Sequence, residues 1–193
     1  MKDSKQQERT GRQRQAKVLR LFRKIHKVTA SLTFIIFFIV SITGLLLTWK
    51  KHSGGLILPD TQTGTSTNKK DWLSLDTLEV LAIQGLEAHN PKLNPEVDRI
   101  DVRPSKGVMK FTFTDHYYEV QIDATTGNIM HVKRRFSDLF EKIHDGSIVD
   151  KWLNISGDWF KLTYANIAAL SLLIFTITGF WLWYGPKVMR KGN

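Results

Sequence analysis

Two runs of uncharged, mostly apolar residues set the pattern of the chain: residues 28–49, 22 in all, and residues 162–184, 23 in all. A hydrocarbon core of about 30 Å takes about 20 residues of helix, and inside it every backbone polar group must be paired within the segment. Both runs are therefore predicted to be transmembrane helices. Between them the periodicity changes. Leu75, Leu78, Ala82 and Leu86 recur at helical spacing until Asn90-Pro91 stops the run, and Asp76 with Glu79 fits a capping box. Residues 97–103, 108–113, 117–122 and 129–134 are strand-like, and turn compositions separate them. Ile100 and Val102, then Met109, Phe111 and Phe113, then Tyr118, Val120 and Ile122 alternate with polar residues, which predicts an antiparallel sheet with one apolar face and one face toward water. The helix from Leu75 covers the apolar face.

The expected fold class is an α+β membrane protein, with two antiparallel transmembrane helices and an inserted extracytoplasmic domain of one helix on a four-stranded antiparallel sheet. The expected divisions are a basic tail with an amphipathic helix at 1–27, a first span at 28–49, a flexible linker at 50–71, the inserted domain at 72–135, an amphipathic helix and connector at 136–161, a second span at 162–184 and a tail at 185–193. The linker assignment rests on Gly54, Gly55, Pro59, Gly64 and a Ser/Thr-rich stretch with little apolar surface to bury.

A phrase occurs twice. Leu21-Phe22-Arg23-Lys24-Ile25-His26 precedes the first apolar run and Leu139-Phe140-Glu141-Lys142-Ile143-His144 the second; Ser41-Ile42-Thr43-Gly44 is answered by Thr176-Ile177-Thr178-Gly179. Because the copies run in opposite directions, the duplication reads as an inverted repeat. Transport does not follow, since two uncharged helices enclose no pathway. For helix packing, Ser41 and Gly44 on one side and Ala165, Ala168, Ala169 and Ser171 on the other offer close approach.

Charge sets the expected orientation. Residues 1–27 hold ten Lys or Arg against two acids, whereas residues 50–158 hold fourteen against sixteen. Positive flanks stay inside, so both termini are expected in the cytoplasm and the middle outside. The formal net charge of +10 is then mainly a topology signal. It does not mark a nucleic-acid surface, because the basic residues lie in a polar tail before a span rather than among aromatic residues on a folded face. Arg20, Arg23, Lys24 and Lys27 are expected at anionic headgroups. The first run exceeds the apolar length of a secretory signal and lacks a small-residue cleavage pattern after it, so it is expected to remain as an anchor. Trp49, Trp159 and Tyr164 are expected at the outer interface, and Trp181, Trp183 and Tyr184 at the inner one. With no cysteine, disulfides, thiolate metal sites and covalent c-type haem attachment are excluded. No zinc-binding helix motif, phosphate loop or nucleophile elbow is present in the sequence, so no catalytic or metal-ligating residue is assigned.

The hairpin 118–129, Tyr-Glu-Val-Gln-Ile-Asp-Ala-Thr-Thr-Gly-Asn-Ile, needs an acid to bond the turn backbone, Asp123, and a residue free to take positive φ, Gly127. This hairpin resembles the signature of PepSY domains. Set between the two His-ending phrases and their apolar runs, it makes the chain resemble the PepSY-associated transmembrane family over residues 18–188. The resemblance implies a bacterial inner-membrane protein with a periplasmic domain, iron-regulated in many members. In larger members it implies reduction of ferric siderophores with b-type haem held by histidines. It also implies, from soluble PepSY domains, a regulatory or inhibitory binding role.

On that resemblance His26, His144 and His52 are the candidate haem ligands, and haem b the candidate cofactor. His26 is expected at the cytoplasmic end of the first span and His52 and His144 outside, so one haem cannot bridge His26 and His144. Within one chain only His52 and His144 share a side, and a second ligand would come from His52, another copy of the chain or a partner protein. The alternative is that both repeated histidines are interfacial side chains. The expected partners are the lipid bilayer, and a second copy or a partner membrane protein of an iron-uptake system. Two functions stay open: a non-catalytic membrane protein displaying a binding or regulatory domain, and a haem-b electron-transfer subunit of a ferric-siderophore reductase.

Overall fold

A computed structural model of the chain describes residues 2–191; Met1 and the last two residues of the expected 185–193 tail lie outside the described residues. The chain forms two compact units, a helical unit, Met1–Ile42 with His144–Asn193, and a mixed unit, Thr43–Ile143.

In the helical unit, α1 (Lys2–Thr48) is one continuous helix whose last six residues belong to the other unit, and α5 (Trp159–Lys191) is the second long helix. The expected tail helix and first span are thus a single element. Both contain candidate membrane spans, Gln13–Thr48 and Trp159–Met189, and only 11% of the apolar window of either is buried. Surfaces this apolar and this uncovered require a lipid environment. Two short helices precede α5: α3 (Phe136–His144), shared with the mixed unit, and α4 (Ser147–Trp152).

The mixed unit carries α2 (Leu75–His89) and β1 (Val97–Arg103), β2 (Val108–Phe113), β3 (Tyr118–Asp123) and β4 (Ile129–Arg134). The strands form one antiparallel meander in chain order, with Ile100 opposite Phe111 and Phe111 opposite Val120. Leu78, Ala82 and Leu86 of α2 pack on Met109, Phe111, Phe113, Val120 and Ile122, as the apolar alternation requires. Gly85 lets α2 approach β4: a Cβ there would collide with the Ile129 side chain. The α2 cap differs from expectation. Ser74, whose Oγ accepts from Thr77 N at 3.2 Å, caps the helix, because Asp76 already lies in its first turn.

Two further expectations are overturned. The polar face of the sheet does not look into water: every residue of β2 is buried, and Glu119, Gln121 and Asp123 of β3 are buried with it. The cover comes from the segment expected to be flexible. Ile57 O accepts from Ser137 N at 2.8 Å, Gln62 N donates to Gln121 Oε1 at 2.8 Å, Gly64 N donates to Lys106 O at 2.7 Å, and Thr65 binds Asp123. Pro59 is fully buried. A segment poor in apolar residues is fixed here by backbone groups that satisfy buried side chains, a route that composition does not reveal.

Candidate functional site

The candidate site of the helical unit lies on the seam of α1 and α5, which run antiparallel. Leu19 meets Gly185, where an added Cβ would stand 2.9 Å from Leu19 Cδ2, and Phe22 lies 6.0 Å from Trp181, ring to ring. His26 Nδ1 is 2.7 Å from Thr178 Oγ1, and the imidazole meets Phe175 edge-on at 5.0 Å. Thr33, Ser171 and Thr178 are buried on this seam, whereas Ser41 and Ala165, expected to pack it, are exposed on their helices.

The proton positions follow from Thr178. Its hydroxyl donates to Ile174 O at 2.6 Å, which leaves the oxygen placed to accept from Nδ1 of the His26 tautomer that carries its hydrogen there. In that tautomer Nε2 is the nitrogen that can act as a ligand. A nitrogen ligand whose other ring nitrogen is anchored by a neighbour is the arrangement seen at haem and metal centres. The register adds depth. His26 precedes its own apolar run by two residues but pairs with Thr178, six residues inside the run that ends at Tyr184. At 1.5 Å per residue that is about 9 Å, so the imidazole sits beside the apolar run of α5 rather than beyond its end. An ionisable side chain at that level is a functional candidate.

The other two candidate histidines lie elsewhere. His144 ends α3, immediately before Asp145, which pairs with Lys161 at 3.0 Å, and Gly146, which packs on Tyr164. Tyr164 and Thr178 are fourteen residues apart on α5, about 21 Å of helix, so His144 and His26 cannot reach one iron. His52 is exposed in a single helical turn, its ring 6.2 Å from that of Trp49. His26 and His144 are thus not brought together. The remaining histidines have structural partners. His116 Nε2 bonds Asn94 O and its Nδ1 accepts from Tyr118 N, His131 bonds Glu119, and the ring of His89 lies 5.3 Å from that of Tyr118.

Arg20, Arg23, Lys24 and Lys27 are exposed along α1 on the same turns as His26. In the hairpin, Asp123 Oδ1 accepts from Thr125 N at 2.8 Å and Thr126 N at 3.3 Å, Oδ2 accepts from Thr65 N and Oγ1, and Gly127 turns the chain at φ 74°. Burial pushes the Asp123 carboxyl up, but these hydrogen bonds outweigh it and hold it below the usual range. Asp123 thus ties the turn to the covering segment.

Sequence reasoning missed the densest polar cluster. Glu119, with no exposed surface, accepts from Lys110 Nζ at 3.1 Å, His131 Nε2 at 3.0 Å and Arg135 Nη1 at 2.6 Å. Arg135 also pairs with Asp138, which pairs with Arg99. Burial alone raises the Glu119 carboxyl, yet the hydrogen bond from His131, the Lys110 charge and Arg135 bring it down to about 2. The same carboxylates hold the Arg135 guanidinium above its ordinary value, against burial. With both Glu119 carboxylate oxygens engaged, this node ties β2, β3, β4 and α3 together. The signal was present in the polar half of the alternation: Lys110, Thr112, Glu119, Gln121 and His131 share one face.

Two lipid-exposed helices bracketing a closed α+β domain define a membrane protein with an inserted globular module. The family model described as the PepSY-associated TM region matches residues 23–191, and the chain belongs to that family. No curated protein and no solved structure is significantly similar to it.

Proposed function

We propose that the chain is a bacterial inner-membrane protein that displays its PepSY-like domain in the periplasm, both termini being cytoplasmic, as a binding or regulatory module of an iron or siderophore uptake system. The observation that carries this reading is the closed mixed unit, with a packed core under one sheet face and a buried charge node on Glu119 under the other, in a chain that also has two long helices that need lipid. The excess of basic residues before α1's apolar run supports the orientation. The iron connection rests on the family. Deleting the gene should impair growth on a ferric siderophore as sole iron source, and the full chain should restore it; unchanged growth under iron limitation contradicts the iron role.

A second reading, a haem-b electron-transfer subunit of a ferric-siderophore reductase, is favoured by His26, whose Nδ1 is anchored on Thr178 and whose Nε2 is left as a ligand. When bound, the haem would supply one-electron transfer. His26 would hold it from one side, Thr178 would fix the imidazole, and a second copy or a partner subunit would provide the other ligand. Dithionite-reduced spectra of protein purified with its membrane partners from haem-replete cells decide the matter: b-type α and β bands lost in His26→Ala and kept in His89→Ala support it, and their absence from the wild type rejects it.

A further inference from the structure

Between α4 and α5 the chain turns three large apolar side chains outward within eight residues, 152–159: Trp152 is 86% exposed, Leu153 61% and Trp159 68%. The segment that carries them is rigidly tied. Buried Asp150 accepts from Phe160 N at 2.9 Å and Lys161 N at 2.8 Å, capping α5 from a neighbouring helix, and its own carbonyl accepts from Ile155 N at 2.9 Å. Asn154 and Asp158 hold left-handed backbone at φ 51° and 54°. The side chains are thus held out by the fold rather than left out by a loose loop.

The acids that would resist contact with a bilayer are already compensated. Asp145 is paired with Lys161 and takes two hydrogen bonds from Ser147, which keep its carboxyl below the usual range against burial. Asp150 faces the positive end of α5. Lys161 also faces Asp158. The large side chains left outward are two indoles and a leucine, Trp152 and Leu153 at the end of α4 and Trp159 at the start of α5, and indoles combine an apolar body with one N–H donor, the composition of the membrane–water boundary.

The geometry points to an interfacial foot: residues 152–159 dock on the bilayer surface at the N-terminal end of α5, burying Trp152, Leu153 and Trp159 at the headgroup–acyl boundary. The partner is the lipid surface itself, continuous with the hydrocarbon that α5 already requires. The foot fixes the depth at which α5 enters, and it holds for either orientation of the protein.

The chain has no native cysteine, so single spin labels report without background. Trp152→Cys and Leu153→Cys, made separately in the full chain and reconstituted in vesicles of phosphatidylethanolamine and phosphatidylglycerol, are compared by power saturation with Lys92→Cys on the mixed unit and Leu173→Cys on α5. At both test sites, access to a water-soluble nickel chelate is expected to fall about fivefold or more below that at residue 92, and access to oxygen to lie between the two references. Where Trp152→Cys fails to fold, Leu153→Cys, which keeps both indoles, decides alone. Nickel access equal to that at residue 92 overturns the foot, and so does a label shielded from both reagents, which places a second copy or another protein on these side chains.

Discussion

His26 and Thr178, 152 residues apart in sequence, are joined by a 2.7 Å hydrogen bond across the seam of the two long helices. The histidine closes the first copy of the repeated phrase and the threonine lies in the second copy of the Ile-Thr-Gly element. The duplication therefore supplies both halves of one polar contact. Single hydrogen bonds between membrane helices couple by about 0.6 kcal/mol on average and at most about 1.7. A double-mutant cycle of His26→Ala and Thr178→Val, followed by unfolding in mixed micelles, should give a coupling in that range. Additive effects would show that the pair does not hold the seam.

The covering segment makes a prediction about the smallest folding unit. Residues 50–143 should unfold cooperatively in urea as an isolated fragment. Residues 70–146 should not, because removing Gln62 and Thr65 uncovers Gln121 and Asp123 and opens the charge node beneath them. Equal stability of the two fragments would mean that the segment contributes nothing to the fold.

Phe111 has no exposed surface and lies between Ile100 and Val120 on the apolar face. Phe111→Ala should destabilise the 50–143 fragment by about 3–5 kcal/mol in chemical denaturation, the usual range for emptying a buried aromatic site. A loss below about 1 kcal/mol would place the ring outside the core.

Acid should weaken the mixed unit in a defined window. Glu119, held at about 2 in the folded unit against an ordinary 4.5, contributes stability that is complete above about pH 4.5 and is lost as pH falls toward 2. A shift of that size corresponds to about 3 kcal/mol. Asp123, also held low, acts in the same direction. Glu119→Gln leaves Lys110 and Arg135 facing a neutral amide; it should cost about 3–5 kcal/mol at pH 7 and flatten the acid limb of the stability curve. A wild-type curve that is level between pH 5 and 2.5 would contradict this assignment.

The spans were legible as uninterrupted uncharged runs, and the strands and α2 by periodicity, because each of the latter buries one continuous apolar stripe, which leaves a repeat in the sequence. The bounds of β1, β2 and β4 coincide with expectation, and β3 is displaced by one residue at both ends, to Tyr118–Asp123. The covering segment left no such trace. Its ties run from Gln62 and Thr65 to side chains 59 and 58 residues away, and backbone donors are the same in every sequence. Glu119, Lys110 and His131 were each visible as polar halves of an alternation, but their meeting depends on that face being covered. The level of His26 was likewise hidden: it depends on the register of α1 against α5, which places Thr178 rather than the end of the apolar run beside it.

In the proposed topology the chain crosses the membrane twice and holds its mixed unit outside. Because the chain lacks cysteine, one substitution at a time can be probed with a membrane-impermeant maleimide in intact spheroplasts. Lys92→Cys, exposed just after α2, should label fully from outside, and Gln13→Cys, exposed on α1, only after the membrane is opened. Labelling of residue 13 in intact spheroplasts with residue 92 protected would reverse the orientation, and equal labelling of both before opening would contradict the two-span topology.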